Sequence, residues 1–236
     1  MKSFFLDKKR FFCFSPEVMI LTFTIEILLA IYVFLRYKAS SFVHTSIFLL
    51  VLLSLFQFSE YNVCGGGFVL PWSRFGFFVI TIIPISMLEL ISNITKERRH
   101  IEQSYFLMFF FLAVFAFLPE VIIQAVCKGN YIMFETAWHG VSLTYLFYYF
   151  GILFLGMWKI AKEFLRIKSD KSKSDKADLL IWLFVGYLTF LVPTGVVDLV
   201  TQLGLEIIPS VLCGFAVIFA FILSFKVVPL AKKIGL

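Results

Sequence analysis

The run HTSIFLLVLLSLFQFSEYNVCGGGFVL, residues 44–70, decides the fold. Residues 44–58 are predominantly apolar, without alternation. The last twelve add a carboxylate (Glu60), a thiol (Cys64) and three consecutive glycines (Gly65, Gly66, Gly67). A bilayer core takes roughly 20 apolar residues per helix, so this stretch reads as a membrane-crossing helix with its polar group at one rim. A membrane β-strand would instead alternate apolar and polar over about 10 residues. The glycines free the backbone to leave the helix and turn along the interface. Pro71 and Trp72 follow as an interfacial anchor.

The rest of the chain has the same character. Of 236 residues, 61% are hydrophobic and 15% charged, and the mean hydropathy is +0.95. Soluble domains carry about 25% charged residues, so lipid is the expected solvent. The 32 phenylalanines read as lipid-facing and interhelical packing. Seven stretches are long and apolar enough to span: 17–36, 42–61, 75–93, 103–126, 138–160, 179–200 and 207–229. The expected fold is an all-α, seven-transmembrane-helix bundle. An interfacial segment (1–16) precedes the membrane domain (17–230), and a short tail (231–236) follows it.

Basic residues orient the bundle. Fifteen Lys and Arg fall on the side of the connections after spans 1, 3, 5 and 7, against six on the other side. The positive side is cytoplasmic, which puts the N-terminus outside and the C-terminus inside. The opening MKSFFLDKKRFF opposes this bias and resembles the start of a signal peptide. No small-x-small cleavage site follows it, so it is read as uncleaved. The net charge of +6 does not imply nucleic acid, because no basic stripe with stacking aromatics lies outside the spans. The Lys/Ser/Asp-rich stretch 162–178 reads as a solvated cytoplasmic loop, with docking to anionic lipid or a partner as its alternative.

With that topology all four cysteines (Cys13, Cys64, Cys127, Cys213) fall near the outer face. A Cys64–Cys127 disulfide is the expected pairing, although four cysteines allow three connectivities. No Cys-x-x-Cys motif is present, and His44, His100 and His139 fall on different sides, so no metal site is expected. Acidic groups gather at the same rim. Carboxylates in or near lipid mark functional positions by default, and Glu60, Glu120, His139 and Asp198 are the candidates for a shared outer pocket taking a cation, an amine or a proton. The alternative is a solvated rim. Three ionisable residues lie deeper: Glu26, Glu89 and Lys226. Lys226 either pairs with Glu89 or, as preferred, snorkels to the headgroups. It lies too close to the inner end of its span for a retinal Schiff base.

Several patterns together resemble the N-terminal seven-transmembrane sensor region of bacterial histidine kinases. They are FQFSEYN with Glu60, the central Pro84 of VITIIPISMLEL, the aromatic WHGVSLTYLFYYFGILFL, and Pro209 in LGLEIIPSVLCGFAVIFAFILSFKVVPL. The likeness covers about residues 17–230, and its motifs are diffuse. It implies a sensor without its kinase domains, in a bacterial inner membrane, that detects a small ligand and signals through a separate protein at the cytoplasmic face. The competing reading is a small-solute or ion transporter using Glu26, Glu89 and Glu120. No His-Glu-x-x-His or Gly-x-Ser-x-Gly motif points to an enzyme, and no cofactor is implied.

Overall fold

A computed structural model describes residues 16–65, 67–118, 121–127, 132–136, 139–168, 174–201 and 208–236. Its elements are α1 (Pro16–Arg36), α2 (Ser41–Cys64), α3 (Val69–Thr95), α4 (Ile101–Phe117), β1 (Ile122–Cys127), β2 (Ile132–Thr136), α5 (His139–Ile167), α6 (Ser174–Thr201), α7 (Ile208–Ile222) and α8 (Val228–Lys233). A π-helical turn, Leu223–Val227, joins α7 to α8. Six helical segments are long and apolar enough to cross a membrane, and the 17-residue α4 is a shorter apolar helix. The chain is thus a helical membrane protein. Large side chains such as Phe34, Phe106 and Phe147 remain exposed on its flanks, where lipid would cover them.

Local chemistry sets the ends. Ser40, extended at φ −143°, accepts a hydrogen bond from the Val43 amide (3.2 Å) and starts α2. At the other end the Gly65 amide returns to the Tyr61 carbonyl (2.8 Å). Gly65 sits at φ −74°, so it closes the helix without left-handed backbone. Left-handed backbone occurs instead at two non-glycine residues of the α3–α4 connection, Lys96 (φ 60°) and His100 (φ 69°).

The fourth span departs from the expected 103–126. The helix stops at Phe117, and Ile122–Cys127 is a strand paired antiparallel with Ile132–Thr136. Pro119 supplies the physical reason. It has no amide hydrogen to continue the ladder and biases the preceding residue away from helix; Leu118 is at φ −108°, ψ 87°. The β-branched residues after it favour a strand. The hairpin folds back over α2 and α3, with Val121 and Ile122 buried.

The central helix is α3, packed by α2, α4 and α5. Pro84 lies inside it and removes one rung of its hydrogen-bond ladder. One turn earlier, Tyr148 Oη of α5 donates to the Thr81 carbonyl (2.6 Å), while Thr81 Oγ1 meets Tyr145 Oη (3.1 Å). Close approach is used at Gly76, where a Cβ would come within 2.7 Å of Ser59 Oγ on α2. Pro209 is the second residue of α7, a first-turn position where its missing donor costs nothing.

Candidate functional site

Contacts between connections define the two ends of the bundle. Lys232 near the C-terminus lies over the Tyr37 ring of the α1–α2 connection (5.7 Å). Lys233 reaches Asp175 at the start of α6 (2.6 Å), and Lys176 reaches Glu163 near the end of α5 (2.5 Å). Lys162 reaches Glu97 in the α3–α4 connection (3.3 Å). This is the basic end. The β-hairpin, Cys64 and the start of α5 lie at the opposite, hairpin end.

Buried charges at the basic end have partners. Lys159, only 3% exposed, donates to the carbonyls of Glu97 (2.9 Å) and Arg99 (2.8 Å). Glu163, 6% exposed, accepts from Arg166 (2.9 Å) and Lys176. The Lys162 ammonium hydrogen-bonded to Glu97 holds that carboxyl below the usual glutamate range.

Glu26 on α1 differs. It is fully buried, and neither carboxylate oxygen has a hydrogen-bond partner among the described residues. Its charged neighbour is Glu60 on α2, itself 2% exposed. The side chains of a helix tilt toward its N-terminus, so on antiparallel α1 and α2 these two carboxylates lean toward each other. Phe23 and Phe58 meet between the same helices, their rings tilted with centroids 5.2 Å apart. Two hydroxyls near the pair are already committed: Thr22, one turn before Glu26, donates to the Met19 and Val18 carbonyls, and Ser59 donates to Phe56. A carboxyl group buried without donors has two ways to be satisfied, a proton or a cation. No group of three or more His, Cys, Asp or Glu converges among the described residues. A proton, a monovalent cation or an amine each carries the single positive charge that offsets one such carboxylate.

Of the expected outer pocket, only Glu60 has a described side chain. Glu120 lies outside the described residues. His139 begins α5 and Asp198 lies near the end of α6, both toward the hairpin end, but their side chains also lie outside the described set. Cys64 is disulfide-bonded; the Cys127 side chain lies outside the described set, while its strand runs beside α2. Glu89 and Lys226 do not pair with each other. Glu89 accepts from Tyr105 Oη (2.8 Å), and Lys226 lies over the Trp182 ring (5.2 Å). The nearness of Glu26 to Glu60 was not anticipated. Its available signal was an acidic residue in each of two consecutive spans, which must run antiparallel.

No family model matches the chain, and comparison with curated proteins and with solved structures finds no match.

Proposed function

We propose that the chain is a membrane-embedded sensor module that binds a proton or small cation at Glu26 and Glu60 and passes the change to its last helix. The observation that carries this is Glu26: a fully buried carboxyl group, without a hydrogen-bond partner among the described residues and with a second carboxylate beside it. Such a group is costly unless something binds it. Its helix also touches the last one, through Tyr32 and Phe225 (5.2 Å). Phe225 belongs to the π-helical turn, an irregularity that often marks functional positions. A ligand at Glu26 that prefers one packing of α1 would shift that contact through its differential affinity. On this reading α4 is a seventh, short span, the basic end is cytoplasmic, and the output is a separate protein at that face. The likeness to bacterial kinase sensor regions supports the same role and an inner-membrane location.

Transport is the second reading, favoured by the depth of Glu26 in its helix. One experiment separates the two. Purified protein in liposomes is tested for thermal stabilisation by protons, Na⁺, K⁺ and small amines, alongside flux of the same species. Stabilisation lost in Glu26→Gln, without flux, supports the sensor. Glu26-dependent flux supports the transporter. No Glu26-dependent stabilisation or flux overturns both.

A further inference from the structure

A second polar site lies at the basic end, away from Glu26. A cavity of about 190 Å³ opens between the end of α3 and the start of α4, lined by Glu89, Ser92, Asn93, Lys96, Arg98 and Ile101. It carries both signs of charge. Glu89 accepts a hydrogen bond from Tyr105 (2.8 Å), which fixes it. Lys96 and Arg98 are exposed, and neither has a carboxylate partner among the described residues. The Asn93 Nδ2 is buried and makes no hydrogen bond there.

Each group narrows the ligand. Two cations and an unused amide donor suit a phosphate. A bare phosphate would also face the Glu89 carboxylate, so a ligand with a cationic end fits better. A primary ammonium donates to Glu89, whereas a quaternary ammonium has no hydrogen to give. Beside the cavity, α4 turns Phe106, Phe109 and Phe110 outward. That apolar flank suits acyl chains descending from a headgroup held at the rim. We propose that this cavity binds a phosphate ester bearing a primary ammonium, the headgroup chemistry of phosphatidylethanolamine. Its phosphate sits on Lys96 and Arg98, and its ammonium on Glu89. The site is independent of the reading at Glu26.

The test uses the full chain in detergent with added phosphatidylethanolamine, phosphatidylcholine or phosphatidylglycerol, or with soluble phosphoethanolamine or inorganic phosphate. Lipid retention is followed by native mass spectrometry and stabilisation by thermal unfolding. Phosphatidylethanolamine should bind at least fivefold tighter than the other two lipids. Glu89→Gln, which keeps an acceptor for Tyr105, should erase that preference, and the Lys96→Ala/Arg98→Ala double variant should weaken binding at least fivefold. Lys232→Ala, at the same end but outside the cavity and over the Tyr37 ring, should leave binding unchanged and reports on general charge loss. Competition by soluble phosphoethanolamine at equal concentration would make the soluble ester the source; its failure to compete makes the lipid the source. Equal binding of all three lipids, saturation by inorganic phosphate alone, or an unchanged preference in a folded Glu89→Gln protein overturns the proposal.

Discussion

Two regions of the bundle, its basic end and the α1–α2 contact, treat buried charge differently. At the basic end Lys159 and Glu163 are nearly sealed from solvent, yet each meets at least two partners. Between α1 and α2, Glu26 is sealed just as completely and meets no hydrogen-bond donor among the described residues. Burial is the same and the accounting is opposite. Paired buried charges hold elements in place, and removing one partner strands the other. A carboxyl group buried without donors is costly, which points to something it binds. The contrast separates framework from candidate site more sharply than burial alone.

The largest effect that would break this contrast is expected at Lys159. Lys159→Met leaves two carbonyls of the α3–α4 connection without their donor and should cost about 3 kcal/mol in unfolding experiments in detergent. A cost near zero would mean the basic end is no firmer than the rest. Cys64→Ser should cost about 2–3 kcal/mol, the lower part of the range for a structural disulfide. Peptide mapping of the unreduced protein should show Cys64 joined to Cys127; another partner would remove the expected tie between α2 and β1. Gly76→Val pushes a side chain against Ser59 and should cost about 2 kcal/mol by overpacking.

Glu26→Leu sharpens the comparison because its sign is reversed. It should raise stability by about 1 kcal/mol while removing any response to protons or cations, whereas Glu163→Leu should lower stability by stranding Arg166 and Lys176. Equal losses in both would end the distinction. The smallest effect concerns pH. Glu97 titrates below the usual glutamate range because Lys162 is bonded to it. A carboxyl group depressed on folding adds stability above its ordinary value and loses it as pH falls through its folded value. Wild-type stability should therefore fall on acidification through that window, and Lys162→Ala should flatten the dependence.

The long helices were legible from sequence because each is a continuous apolar run, and lipid imposes its thickness on such runs. The hairpin was not. VIIQAVC is as apolar as the helix before it, and hydropathy does not distinguish a strand from a helical turn. Pro119 carried the signal, and its effect on Leu118 ended the helix. Glu60 and Glu26 were each visible as costly residues, but their proximity depends on how α1 and α2 align, which no local pattern fixes. The partners of Lys159 are backbone carbonyls, which leave no mark in the sequence at all. The outer pocket of Glu60, Glu120, His139 and Asp198 remains a sequence-based expectation, as three of its four side chains lie outside the described residues.

The tether at Lys159 also bears on how the chain enters a membrane. Helix α5 is the least apolar of the six long segments, and it carries both Lys159 and Glu163. One of these charges is satisfied by a connection made before it, the other in part by Lys176, made after it. When α5 first emerges, the acceptors for Lys159 already exist and the cation for Glu163 on α6 does not. Insertion of α5 is thus a step that its predecessors begin and its successor completes. Truncating the chain before Lys176 should leave α5 less firmly inserted than truncating it after α6.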